Sequence, residues 1–167
     1  MHDLVDCVIE DERWATAGLP ALAERAARAA LSGRGLDPER FGIALLACDD
    51  ARIAVLNAAF RARNGATNVL SWPSCERAPQ RPGATPAPPP AGMAGDPCEL
   101  GDIAIAYDTC AAEARAQGKT LADHASHLVV HAVLHLLGHD HEHEADAALM
   151  EECERRILAS MGIADPY

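Results

Sequence analysis

Aromatic residues make up only 4% of this 167-residue chain, so leucine, isoleucine, valine and alanine must do most of the packing in its core. No run of about 18 apolar residues could span a bilayer, and the opening stretch MHDLVDCVIEDER carries acids where a secretory leader would carry bases. Together these absences point to a cytoplasmic location and no membrane partner. There is no CxxC pair among Cys7, Cys48, Cys75, Cys98, Cys110 and Cys153, and a chain of this size needs no disulfide staples, so reduced packing thiols are expected. The formal net charge of -11 argues against broad affinity for nucleic acid, which rests on Lys and Arg displacing counterions from phosphates. Any polyanion must therefore meet a local patch. One candidate runs from Arg52 to Arg81, where Arg52, Arg61, Arg63, Arg77 and Arg81 face a single acid, Glu76.

With 49% hydrophobic and 23% charged residues, the composition is that of one globular domain over residues 1–167. LVDCVIE (4–10) alternates as a strand does, and the Ala-rich ALAERAARAALSG after Pro20 predicts a helix ending at Gly33. RFGIALLACDD (40–50) is a short apolar run closed by two aspartates, either of which can cap a helix over ARIAVLNAAFR (51–61), whose Ile53, Leu56, Asn57 and Phe60 share a face. A brief β-prone segment follows, TNVLSWP (67–73). Seven prolines between Pro79 and Pro97 then remove too many backbone donors for regular structure, predicting an exposed loop over about 73–98 that joins two neighbouring strands. ELGDIAIAY (99–107) resumes the strand pattern, and the remainder is helical.

The segment HAVLHLLGHDH (131–141) would pass for an ordinary core helix without its histidines. His131 and His135 are four apart and so lie about 40° apart on one helical face, close enough to grip one ion. Gly138 can end the helix in a left-handed conformation, bringing His141 back as a third ligand and leaving a tetrahedral fourth position for water. Three neutral imidazoles with an open position suit zinc, which lowers the pKa of bound water to about 7. One histidine on an apolar face is usually a hydrogen-bonded core residue, but here seven of eight histidines fall between 124 and 143. A stripe of His127, His131 and His135 spans about 12 Å, too far for a single ion. His124 and His127 are therefore expected in buried hydrogen bonds or supporting the ligands, and His139 and His143 at the surface nearby. Asp140, Asp146 or a nearby carboxylate is a candidate to orient the imidazoles.

The spacing also fits HExxHxxGxxH of the metzincin peptidases, but residue 132 is alanine where that pattern has its catalytic glutamate. A third reading, a non-catalytic protein with structural zinc, would need His139, His143 or Cys153 as a fourth ligand.

The longer stretch DHASHLVVHAVLHLLGHDH (123–141) closely resembles the YbeY family of bacterial metal-dependent endoribonucleases, whose signature is similar to HGxLHLxGYDH. Ala132 replaces its glycine and His139 its tyrosine. FRARNGATNVLSWP (60–73) resembles the family's Phe or Tyr, then Arg, then TNVLSFP, and LGDIAIA (100–106) its LGDI strand. The resemblance covers most of residues 40–160. It implies an α+β, zincin-like fold, with a mixed sheet of about four strands packed with about five helices. It further implies one zinc per chain and cleavage of single-stranded RNA. The implied setting is 16S rRNA 3′-end maturation and ribosome quality control, with the 16S rRNA precursor and the small ribosomal subunit and its proteins as partners. The implied catalytic set is Arg61 with His131, His135 and His141. Arg61 would contact phosphate in bidentate fashion, assisted by Arg63. Considered alone, Arg61 would be a cation at a helix end. Trp72 is a core aromatic or a base-stacking one, and Asn68 and Ser71 either donate to phosphate or hold a turn.

Overall fold

In the computed structural model, which describes residues 2–93 and 95–167, the long apolar runs become the middle of a sheet. β2 (Phe41–Cys48) and β4 (Cys98–Ala106) are central and mostly buried, as strands covered on both faces must be. β1 (Val5–Ile9) and β3 (Val69–Pro73) form the edges, in the order β1-β2-β4-β3. β1, β2 and β4 are parallel, whereas β3 runs antiparallel to β4. The fold is α+β with a four-stranded mixed sheet, as the sequence and its resemblance suggested.

Six α-helices accompany the sheet among the described residues: α1 (Glu12–Thr16), α2 (Leu19–Gly33), α3 (Asp50–Arg61), α4 (Tyr107–Ala116), α5 (Leu121–Leu136) and α6 (Glu144–Ser160). About five were expected, and the one without a sequence signal is α1. Five residues are too few to show a period. A cap and an anchor hold it in place: Asp11 accepts from the Arg13 backbone N–H, and the buried Trp14 donates Nε1–H to the Cys48 carbonyl at 3.1 Å. Of the two aspartates ending β2, Asp49 is the one that caps α3, accepting from Arg52 N at 2.8 Å.

Period-two alternation divides the core. Ile43, Leu45, Ile103 and Ile105 join the large cluster formed with α2, α5 and α6, while Cys48, Ala104 and Ala106 join a smaller one with Ile53 of α3. Trp14 and Phe41 are the aromatics in the large cluster's buried set, so the packing is aliphatic. On α2 the buried face is largely alanine (Ala23, Ala26, Ala27, Ala30), which lets its backbone lie close to α5. Phe60, expected on the inward face of α3, is 67% exposed: it meets Trp72 of β3 edge-to-face at the rim of an open apolar groove.

The proline-rich connection does join neighbouring strands, β3 and β4, but it is not free of the body. Arg77 donates from Nη1 to the Leu100 and Leu136 carbonyls at 3.1 and 2.8 Å, satisfying a carbonyl at the end of α5. Pro86 and Pro89 are buried, and Gly83 N–H donates to Asp146 Oδ1 at 2.7 Å. Just beyond α5 the chain reverses in a paired-bond terminus: Gly138 N donates to the His135 carbonyl and His139 N to the Leu134 carbonyl, both at 3.0 Å. This requires φ of +104° at Gly138, and a Cβ there would meet the Arg77 carbonyl oxygen. Gly138→Ala is therefore expected to lower unfolding free energy by roughly 1–3 kcal/mol through backbone strain alone. An unchanged denaturation midpoint would contradict this reading of the turn.

Candidate metal centre

α5 is capped by Thr120, which accepts from Asp123 N at 3.1 Å, and its apolar positions fix it in the core so that its histidine face looks out past β3. His131 and His135 stand one turn apart with ring centroids at 4.6 Å. The turn at Gly138 returns His141 to them, at 5.5 Å from His131 and 5.1 Å from His135. One nitrogen from each of the three lies within 4.8 Å of the others, a group able to hold a metal ion.

Hydrogen bonds on the far side of the His131 and His135 rings decide which nitrogen each presents. His131 Nδ1 donates to Glu154 Oε1 at 2.6 Å, and His135 Nδ1 donates to the His139 carbonyl at 2.9 Å. A neutral imidazole has only one N–H, so both Nε2 atoms are left with lone pairs, 3.1 Å apart. Burial, reinforced by the neighbouring His131 and His141, pushes His135 down to about 4, so it is neutral at pH 7. Two lone pairs facing each other at that distance repel unless a cation lies between them. The donor set therefore fits a metal ion on this structure's own geometry.

Neither Asp140 nor Asp146 orients an imidazole. Asp140 Oδ1 accepts the backbone N–H of His141 at 2.7 Å and so shapes the loop, while Asp146 braces Gly83 of the proline-rich connection. Instead, Glu154 of α6 is the carboxylate that holds His131. It is fully buried, with Oε1 also 3.4 Å from His127 Nε2 and Oε2 accepting from the Tyr167 hydroxyl. Burial alone would raise its pKa, but the nearby His127 and the hydrogen bonds from His131 and Tyr167 prevail and bring it to about 2. Its sequence signal was an acid on the stripe Met150, Cys153, Ile157 and Leu158, which is otherwise the buried face of α6. No comparable signal marks Tyr167.

His124 Nε2 donates to Glu113 Oε1 at 2.9 Å, and Asn68 donates to the same oxygen at 3.0 Å. Thus His124 and His127 stand beside carboxylates and outside the ligand group. His143 is exposed at the start of α6. His139, expected at the surface, is 5% exposed because Pro86, Pro88 and Pro89 lie over it. Cys153 lies in a different hollow, beside Ala29, Gly33 and Ile157.

The three histidines open onto a cleft of about 680 Å³ that Arg61, Arg63, Asn68 and Ser71 also line. Arg61 is in the last turn of α3, where it meets the helix dipole favourably, yet among the described residues neither it nor Arg63 forms an ion pair. Trp72 is not in this cleft. It packs edge-to-face on Phe60 at 6.0 Å and lines an apolar groove with Val8 and Leu46.

Against known proteins, the family model described as "Endoribonuclease YbeY" matches residues 6–162. The chain belongs to the YbeY family. It is 57% identical to the Endoribonuclease YbeY of Paracoccus denitrificans over 165 residues, covering 99% of this chain and 90% of that one. It is 56% identical to that of Cereibacter sphaeroides over 167 residues, covering all of both. The solution structure of TM1509 from Thermotoga maritima superposes with a TM-score of 0.54 over 97% of each chain at 19% identity, which shows a shared fold. The two departures from the YbeY signature leave the site intact: Ala132 is buried in the core, and residue 139 serves His135 through its backbone carbonyl.

Because Glu154 titrates near 2 in the folded protein and near 4.5 ordinarily, its contribution to stability is complete above the ordinary value and is lost as pH falls through 2. The contribution at neutral pH is of order 3 kcal/mol. In metal-free protein, Glu154→Gln should lose less stability than wild type between pH 7 and pH 3, as read by urea midpoints. Equal acid sensitivity would count against this carboxylate's role.

Proposed function

We propose that this YbeY-family chain is a zinc-dependent endoribonuclease that cleaves single-stranded RNA. Its proposed setting is cytoplasmic, in maturation of the 16S rRNA 3′ end and in ribosome quality control on the small ribosomal subunit with its associated proteins. The observation that carries the reading is the shared cleft: three converging imidazoles and two unpaired arginines face one space. The relatives' description as endoribonucleases supports the reaction class.

Zinc fits the donors. Two nitrogens each roughly 2.0–2.1 Å from a tetrahedral ion stand about 3.3 Å apart, close to the 3.1 Å between the Nε2 atoms of His131 and His135. Bound there, zinc supplies Lewis acidity sufficient to bring the pKa of water to about 7. The chain supplies the rest. Glu154 and the His139 carbonyl hold the two helical imidazoles in the tautomer that points Nε2 into the cleft. Arg61 presents its planar fork to the non-bridging oxygens of a phosphodiester, where negative charge grows as the bond breaks. Arg63 and Lys119 line the same cleft and give a local cationic path through an acidic protein.

The two other readings find less support. A closed structural zinc needs a fourth protein ligand, and among the described residues none joins the three histidines: His139 is under the proline-rich connection and Cys153 faces α2. A peptidase needs a carboxylate where Ala132 is packed into the core.

In a cleavage assay on single-stranded RNA, His135→Ala should lose both zinc and activity. Arg61→Ala should keep its zinc while cleavage falls about 100-fold or more, the scale on which a transition-state charge contact is felt. Zinc-loaded wild type that leaves RNA intact, or an Arg61→Ala variant as active as wild type, would contradict the proposal.

A further inference from the structure

After α6 the chain turns back along it. Asp165 accepts from Arg155 Nε at 3.3 Å and from the Tyr167 backbone N–H at 2.9 Å, and the Arg155 guanidinium lies 5.4 Å from the Tyr167 ring centroid. This folded-back segment places Tyr167 between α6 and α5. Its ring meets His127 edge-to-face at 5.8 Å, its hydroxyl donates to Glu154 Oε2, and with Pro166 it lines the histidine cleft. The residue remains 54% exposed, so burial of the ring does not by itself explain the position.

The geometry of Glu154 does explain it. With Oε1 bonded to His131, the carboxylate could still rotate about its last bond, and Oε2 would be a buried acceptor lacking a donor. The Tyr167 hydroxyl meets both problems at once: it satisfies the second oxygen and fixes the carboxylate plane from the opposite side. We propose that Tyr167 is a positioning residue of the metal centre, its hydroxyl locking Glu154 so that His131 holds its proton on Nδ1 and turns Nε2 to the ion. The proposal rests on the reading of His131 as a metal ligand. It adds a third member, tyrosine to glutamate to histidine, to the support behind that ligand.

Tyr167→Phe keeps the ring, its contact with His127 and its stacking under Arg155, and removes only the hydroxyl. Tyr167→Ala removes all of them. Two readouts are compared: long-range proton–nitrogen NMR spectra of the metal-free protein, which report the His131 tautomer, and zinc affinity by chelator competition. Wild type should show one Nδ1–H tautomer. Tyr167→Phe should show a mixture and bind zinc about tenfold more weakly, the lower end of the range for groups that orient metal ligands, with Tyr167→Ala no weaker than that. A Tyr167→Phe variant matching wild type in both readouts, or a loss confined to Tyr167→Ala, would overturn the proposal by reducing Tyr167 to a packing residue. If wild type binds no zinc, the zinc reading fails separately, and the tautomer spectra still decide: an unchanged His131 signature in Tyr167→Phe overturns the positioning role.

Discussion

A carboxylate without solvent contact must have its oxygens satisfied by donors, and Glu154 is such a group. Its place on the inward stripe of α6 obliges α5 to offer an N–H at that level, and His131 does so. That bond fixes more than the packing of two helices. It assigns the proton of His131 to Nδ1, which leaves Nε2 bare and aimed at His135. His135 meets the same requirement through the backbone, its Nδ1 bound to the His139 carbonyl. The candidate metal centre is thus set up from behind, by groups that do not line the cleft.

The fold supplies the stiffness this arrangement needs. α5 is buried along Ala125, Val129, Ala132, Val133 and Leu136, so its histidine face cannot rotate without exposing the core. The helix ends in a paired-bond turn at Gly138, and Arg77 reaches from the proline-rich connection to cap the Leu136 carbonyl. The same connection covers His139 and is tied to α6 through Asp146. A segment whose composition reads as loose thereby braces the turn that carries His141 to the site.

Much of this was legible in the residues. A short apolar run, a strand pattern and period-3.6 patterns located β2, β4 and the long helices because those elements are buried along most of a strand or along a continuous helical face. The HxxxH pair, Gly138 and His141 pointed to the three histidines that the fold does bring together, because helix geometry and a left-handed glycine are local properties. What escaped depends on contacts distant in the chain. Asp140 and Asp146 were reasonable candidates by proximity, yet the orienting carboxylate lies 23 residues beyond His131, and only the packing of α6 on α5 brings it there. His139 looked like a surface residue until a loop more than forty residues earlier was folded over it. Trp72, read as a core or a base-stacking aromatic, packs against the smaller apolar cluster and away from the histidines, as strand alternation sends it to the other side of β3 from Ser71.

The central claim is that His131, His135 and His141 hold one ion, the first two through nitrogens selected by their outer hydrogen bonds, with no fourth protein ligand. A crystal structure of the zinc-loaded protein with anomalous data at the zinc edge tests it most directly. The account predicts one peak about 2.0–2.1 Å from Nε2 of His131, Nε2 of His135 and a nitrogen of His141, with no protein atom in the fourth position. A peak coordinated through Nδ1 of His131, one joined by His139, His143 or Cys153, or no peak at these residues would contradict it.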